Sequence, residues 1–285
     1  NKLLDKEAQK IGNTKLQCAI TCYTKAYSVF YMRIQRIIDS LKLVNVTAFG
    51  ADEKNYGNYY MLFGILKSTL TRGSENMKIE IAVSENNSES GDIDGNVSTQ
   101  KHLVLLMNYK WLYEESRHLP EFPKDLSRSI DDLRDQELRL FSASFGRQYT
   151  IGNIMRLVED LDDLLSNDGS PANFSTYSVE NIKNMVLPFK GDSFKQEISL
   201  LASDLKSMLQ GRCYDTSGSD IENSFSRSIG ERIEKELYNN CMYALCQLYI
   251  TTFTKLSTIV DKYYTNFEVP VDKYIINFNF KKHYS

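Results

Sequence analysis

The sequence lacks the short motifs that identify common catalytic sites. It contains no G-x-S-x-G elbow, no phosphate-binding loop and no glycine pattern of a dinucleotide-binding fold. Histidine is also scarce, and no two of the three histidines form an H-x3-H pair: they are His102, His118 and His283. Glu114 and His118 share a helical face, but two ligands are too few for a zinc site. We therefore predict no catalytic residue, no metal site and no cofactor.

A strong charge of either sign is absent as well. The chain has 34 Lys and Arg against 37 Asp and Glu, which gives a net charge of -3. No basic field is present to attract nucleic acid or anionic lipid. The longest run without a charged residue, 237–254, is interrupted by Asn239, Asn240, Gln247 and several threonines. Because spanning helices are more uniformly apolar, we expect a buried helix of a bundle and no membrane insertion.

The dominant pattern in the chain is the helical repeat. Apolar residues recur in steps of three and four. This spacing predicts helices over 16–44, 59–70, 103–113, 124–146, 151–165, 179–187, 193–209 and 220–264. The paired acids at 131–132, 159–160 and 162–163 fall between the apolar positions, as on exposed helix faces. We predict an all-α, bundle-like single domain over residues 1–285.

Two short stretches depart from the helical repeat. Residues 77–83 and 274–280 alternate between apolar and polar positions, which is typical of strands. Since a lone strand is not stable, we expect these two segments to pair as a minor β element. Residues 84–99 are rich in Ser, Asn, Asp and Glu and hold little apolar surface. That composition predicts a mobile acidic loop.

The five cysteines fall into two groups: Cys18 and Cys22 near the start, then Cys213, Cys241 and Cys246. Cys18 and Cys22 lie four apart on one predicted helix, so a bond between them would strain it. We expect both to pair with members of the C-terminal group, which leaves one thiol unpaired. Such bridges persist only in oxidising compartments, so they predict a secreted, extracellular protein.

Two further features favour secretion. The sequence begins at Asn1 and not at Met, as expected after removal of a signal peptide. Four N-x-[ST] sequons also lie in predicted loops or at helix edges. We predict glycosylation at these sites: Asn45, Asn86, Asn96 and Asn173.

Tyrosine supplies a candidate binding face. The chain has 18 Tyr, and several repeat every four residues on predicted helices: Tyr23, Tyr27 and Tyr31, then Tyr56 and Tyr60. Core packing with the hydroxyl at the boundary explains this spacing. A binding face is the alternative, because tyrosine offers a large, rigid contact area and is enriched at interfaces.

Three strings carry a resemblance to a known family. They are Cys18-Ala-Ile-Thr-Cys22, Gly211-Arg-Cys213-Tyr214 and Asn240-Cys241-Met-Tyr-Ala-Leu-Cys246. Together with the size and the acidic insert, they resemble the 34-kDa family of secreted salivary proteins of blood-feeding Aedes mosquitoes. The resemblance spans essentially the full length and transfers no catalytic residue.

The resemblance implies a saliva component that acts during feeding. It would bind a protein partner, either a host extracellular protein or a component of the insect's mouthparts or cuticle. We therefore expect a binding protein and not an enzyme. Two alternatives stay open: a secreted hydrolase with carboxylates brought together from distant helices, and a carrier of a small apolar ligand.

Overall fold

The computed structural model describes residues 64, 68, 93–117, 124–167, 169–171, 174–210, 220–264 and 267–284. Seven α-helices and no strand occur among them, so the predicted all-α class is confirmed for this part of the chain. The helices are α1 (Ile93–Ser116), α2 (Lys124–Gly146), α3 (Ile151–Ser166), α4 (Val179–Val186), α5 (Gly191–Leu209), α6 (Asp220–Tyr263) and α7 (Lys273–Phe280). Short 3-10 turns lie at Ser175–Tyr177 and Leu187–Phe189.

Local sequence signals explain several helix ends. Ser178 caps α4 by accepting a hydrogen bond from the backbone N–H of Asn181. Pro188 follows α4 within a 3-10 turn, where its missing N–H costs little. Gly191 begins α5 with a φ of 59°, a conformation that glycine adopts without a steric penalty.

The predicted strand at 274–280 is wrong, because these residues form α7. The Asp272 carboxylate accepts hydrogen bonds from the N–H groups of Tyr274 and Ile275, which caps the helix at its start. Ile276 and Phe280 are four residues apart and both buried, as expected on one helix face. Steps of four also satisfy an alternating pattern, and this explains the error. The expected partner segment, 77–83, lies outside the described residues.

The predicted acidic loop at 84–99 is wrong at its C-terminal end. Helix α1 already begins at Ile93, and Thr99 is fully buried. Once a helix is nucleated by a buried segment such as 103–110, each further residue adds one hydrogen bond at little cost. The helix therefore extends into polar sequence, and the backbone of Asn96 lies in its first turn. Residues 84–92 lie outside the described part.

The chain divides into two compact units. One contains residues 1–138 and 211–234, and the other contains 139–210 and 235–285. Helices α2 and α6 contribute residues to both units. The expectation of a single domain stays a prediction.

In the first unit, the middle of α1 is buried on every side. All residues from 103 to 110 are buried, including Asn108 and Lys110. A helix that is covered all round is a central helix and not an amphipathic surface helix. Asn108 satisfies its amide by donating to the carbonyl of Val104.

The second unit has an aromatic core around Tyr249. Its ring lies 6.0 Å from Phe194, 6.3 Å from Phe189 and 5.2 Å from Phe280, measured between ring centroids. Such tilted and edge-to-face pairs are favourable geometries for aromatic rings. The same core receives Phe253, whose ring centroid is 5.0 Å from that of Phe189.

The predicted helix at 237–254 is confirmed, but only one of its faces is buried, since Asn240, Tyr243, Thr251 and Thr254 are exposed. The residues that face the core from this part of α6 are at most 1% exposed: Leu237, Cys241, Leu245, Tyr249 and Phe253. Among the described helices, none is long and apolar enough to cross a membrane.

The turn between α2 and α3 is tight because residue 152 is glycine. A Cβ atom at Gly152 would lie 2.3 Å from the carbonyl oxygen of Arg147. Atoms cannot approach so closely, so any larger residue would force the backbone apart. The N–H of Gly152 donates to the carbonyl of Tyr149 at 2.8 Å. This turn brings the first N–H groups of α3 to a polar cluster described below.

Candidate functional site

The outer face of α7 exposes a group of large apolar side chains. Tyr274 is 73% exposed, Phe278 is 63% exposed and Ile275 is 41% exposed. Tyr274 and Phe278 are one helical turn apart and therefore lie on the same face. Ile276 and Phe280 point the other way, into the core. We refer to Tyr274, Ile275 and Phe278 as the α7 aromatic surface.

The helix that carries this surface is firmly anchored. Helix α7 packs against α5, and Phe280 contacts Tyr249 of α6 through their rings. Its N-terminus is capped by Asp272. The exposed rings are therefore presented on a fixed element, which limits the entropy lost when a partner binds.

A second aromatic pair flanks the helix. Tyr243 of α6 is 55% exposed, and its ring meets that of Tyr284 edge-to-face at 6.2 Å. Cys246 joins this pair to α7, because its Sγ lies 3.5 Å from Oδ1 of Asn277 and it also hydrogen-bonds Tyr284. Burial, the nearby Cys246 and the hydrogen bond to it raise the pKa of Tyr284 to about 12, so its hydroxyl is neutral.

Lysines accompany the exposed rings. The Nζ atom of Lys273 lies 5.2 Å from the ring centroid of Tyr274, and that of Lys282 lies 5.1 Å from Phe278. Both distances fall within the range of cation–π attraction. The surface thus combines flat apolar rings with positive charge, a composition suited to molecular recognition.

A buried polar cluster in the second unit centres on Glu197. Its carboxylate accepts hydrogen bonds from the Tyr249 hydroxyl at 3.0 Å, from the Thr150 hydroxyl, and from the N–H groups of Thr150 and Ile151. Thr150 precedes α3 and makes no side-chain cap of its own. Glu197 therefore accepts hydrogen bonds from N–H groups at the start of α3 that the Thr150 side chain does not cap. Its negative charge also interacts favourably with the positive end of the helix dipole.

The environment of Glu197 is that of a structural carboxylate. Burial raises the pKa of Glu197 above its ordinary value of 4.5, while the hydrogen bonds it accepts oppose this rise. Nearby, the Tyr149 hydroxyl donates to Asp204 at 2.7 Å, and burial raises the pKa of Tyr149. The cluster joins the α2–α3 turn to α5 and α6, and its acids are occupied by internal donors.

The first unit holds two further polar contacts. His102 Nδ1 lies 2.7 Å from the Glu137 carboxylate, and both side chains are largely buried. Lys110 donates to Glu114 at 2.9 Å, and Arg232 reaches the same carboxylate at 3.2 Å. Burial alone would raise the pKa of Glu114. The hydrogen bond from Lys110 and the positive charges of Lys110, Arg232 and Arg117 outweigh burial and lower the pKa below its ordinary value. Glu114 is thus held between two cations; His118, considered above with it as a zinc ligand, lies outside the described residues.

The acid pairs noted in the sequence are dispersed on helix surfaces. Asp131 pairs with Arg134, Glu159 with Arg147, and Asp162 with Lys255. Within the described residues, no three His, Cys, Asp or Glu side chains are arranged to hold a metal ion.

Most of the predicted site residues lie outside the described part of the chain. These are three cysteines (Cys18, Cys22, Cys213), three sequon residues (Asn45, Asn86, Asn173) and the proposed tyrosine face (Tyr23, Tyr27, Tyr31, Tyr56, Tyr60). Cys241 and Cys246 are buried, free thiols in the structure. Burial raises the pKa of both thiols. The predicted bridges are not shown and stay a prediction.

Sequence reasoning missed the α7 aromatic surface, although a signal for it was present. Asp272 stands directly before the segment and is a strong N-cap residue. A helix begun there places Tyr274 and Phe278 on one face and Ile276 and Phe280 on the opposite one.

Comparisons with protein-family models, with curated proteins and with solved structures find no match to this chain. The resemblance to the salivary family therefore stays an expectation drawn from the sequence.

Proposed function

We propose that this protein is a secreted binding protein that contacts a protein partner through the α7 aromatic surface. The observation that carries the proposal is the exposure of Tyr274 and Phe278 on a capped and anchored helix. Exposed apolar groups of this kind mark interaction sites more often than isolated surface residues do. Aromatic side chains also dominate the energetic centres of protein interfaces.

The proposal includes the setting that the sequence resemblance implies. In saliva, the partner would be a host extracellular protein or a component of the insect's mouthparts or cuticle. Binding would proceed without catalysis. The buried carboxylate best placed for chemistry, Glu197, is engaged by Tyr249, Thr150 and the start of α3, which supports a structural role for it.

The test compares capture by the native protein and by a variant of the surface. Immobilised glycosylated protein is exposed to host plasma and to mouthpart extract, and captured proteins are identified and purified. Binding of each purified partner is then measured directly against the double variant Tyr274→Ala with Phe278→Ala. We expect saturable binding to weaken by at least about thirtyfold, as for two hot-spot residues.

A matched control replaces exposed leucines elsewhere in the same unit. Leu187 is 60% exposed and Leu200 is 57% exposed, and neither lies in α7. Leu187→Ala with Leu200→Ala removes comparable apolar surface and should leave binding unchanged. Equal binding by both double variants would remove the α7 aromatic surface from the proposal. A hydrolytic activity abolished by changing one carboxylate would replace binding with catalysis.

A further inference from the structure

The charged residues of α7 and of the segment that follows it all have the same sign. Lys273, Lys281 and Lys282 are all exposed, and no Asp or Glu occurs between residues 273 and 285. Asp272, directly before the helix, is exposed and accepts the capping hydrogen bonds, so one carboxylate stands beside these lysines. The whole chain has a net charge of -3. With three lysines against one carboxylate, residues 272–285 therefore carry a net positive charge on a weakly acidic protein.

Two of these cations lie against the exposed rings themselves. Lys273 and Lys282 stand within about 5 Å of the rings of Tyr274 and Phe278. A group that packs on either ring therefore also comes close to an ammonium group. The chemistry that satisfies both is an apolar side chain with a carboxylate beside it in the same segment.

Directional polar groups on the surface favour a protein over a lipid headgroup layer. Tyr274 and Tyr243 are both more than half exposed, and each carries a hydroxyl group at the end of its ring. A hydroxyl group forms directional hydrogen bonds, which favour a partner whose donors and acceptors have fixed positions. A fluid anionic layer offers charge without such fixed positions.

We propose that the partner presents an acidic segment in which carboxylates alternate with aliphatic or aromatic residues. This inference rests on the proposed function and specifies the chemistry of the partner. The apolar residues of the segment pack on Tyr274 and Phe278, and its carboxylates meet the three lysines. Charge of opposite sign also steers the encounter and raises the association rate.

The experiment selects binders from a display library of random peptides on the full-length native protein. Each selected peptide is tested against the Tyr274→Ala with Phe278→Ala variant, whose fold is checked by circular dichroism. Peptides that lose binding to this variant define what the surface recognises. We expect them to be enriched in Asp and Glu next to aliphatic or aromatic residues.

Salt and lysine replacement test the electrostatic part of the inference. Changing Lys273, Lys281 and Lys282 to Gln should weaken the selected peptides by about tenfold or more, since each exposed ion pair contributes little alone. Raising NaCl from about 0.05 to 0.5 M should weaken them similarly. The control replaces three exposed lysines elsewhere in the same unit with Gln and should have no effect: Lys190, Lys206 and Lys235.

Three results would overturn the inference. If the peptides that need the two rings for binding are not enriched in Asp and Glu, the α7 aromatic surface is still a binding site, but the proposal of an acidic partner is wrong. A selection with no ring-dependent peptides would show that the surface does not take a peptide segment, while the capture experiment decides the proposed function separately. Ring-dependent binding to phosphatidylserine vesicles, with none to pure phosphatidylcholine vesicles, would assign the surface to anionic lipid.

Discussion

Removing one hydroxyl group, in Tyr249→Phe, tests whether Glu197 supports the second unit as described. Tyr249 is fully buried, and its hydroxyl donates to the Glu197 carboxylate at 3.0 Å. The ring itself packs against Phe189, Phe194 and Phe280, and those contacts survive in the variant. The change therefore isolates the hydrogen bond from the packing.

The expected loss of stability follows from the type of bond that is removed. A hydrogen bond to a charged group contributes about 1.5–3 kcal/mol. We expect Tyr249→Phe to lower the free energy of unfolding by about that amount. Tyr249→Ala also removes the ring from the aromatic core and should cost about 3–5 kcal/mol. Because the two residues interact directly, Tyr249→Phe and Glu197→Gln together should cost less than the sum of the single changes.

Urea unfolding followed by far-ultraviolet circular dichroism measures these differences. Amide hydrogen exchange shows where in the protein the stability is lost. Because the N–H of Ile151 donates to Glu197, it should exchange faster in Glu197→Gln. A Tyr249→Phe variant within about 0.5 kcal/mol of the native protein would refute the reasoning, since such small effects are typical of surface positions.

The pH dependence of the same group has a definite sign. Burial raises the pKa of Glu197 above 4.5 in the folded protein, so the folded state holds this proton more tightly than the unfolded state. The stabilisation that comes from this tighter proton binding is therefore fully present below pH 4.5. It is lost as pH rises through the pKa of Glu197 in the folded protein. The stability of the native protein relative to Glu197→Gln should accordingly decline over that window. A difference that grows with pH would contradict the assignment.

Two further experiments test the turn and the cysteines. Gly152→Ala should destabilise the protein by about 1–3 kcal/mol, because the new Cβ would lie against the Arg147 carbonyl. Gly64→Ala is the control: its position is helical and open, so unfolding measurements should show a small gain. Peptide mapping under non-reducing conditions should link Cys18 and Cys22 to the C-terminal cysteines, and a bond between those two would contradict the prediction.

The helical repeat predicted most of the described fold because helices such as α3 and α5 bury a single stripe. Residues 151–165 and 193–209 were predicted as helices, and the structure has Ile151–Ser166 and Gly191–Leu209. In both, the buried residues fall in steps of three and four, as Ile198, Leu201 and Leu205 illustrate. The prediction was less accurate at the start of α1, where a polar first stretch carries no apolar stripe.

The candidate site was hidden from sequence reasoning because its geometry depends on the choice of backbone. As a strand, 274–280 would place Tyr274, Ile276, Phe278 and Phe280 on one face, where all four would be buried together. As a helix, the same residues divide into two opposite pairs, and one pair is exposed. The Glu197 cluster had no local signal at all. Its donors at Thr150 and Ile151 come from a turn more than forty residues away, and only tertiary packing brings them together.

Exposure of Tyr274 and Phe278 also separates binding from folding in a measurable way. Their removal opens no cavity, because the core side of α7 is filled by Ile276 and Phe280. Alanine is a better helix former than either aromatic residue, which offsets part of the lost contact with Lys273 and Lys282. Tyr274→Ala and Phe278→Ala should therefore change the free energy of unfolding by no more than about 0.5 kcal/mol each. A larger loss of unfolding free energy would show that the two rings stabilise the fold. The proposed binding function would then have to be assigned to a different surface.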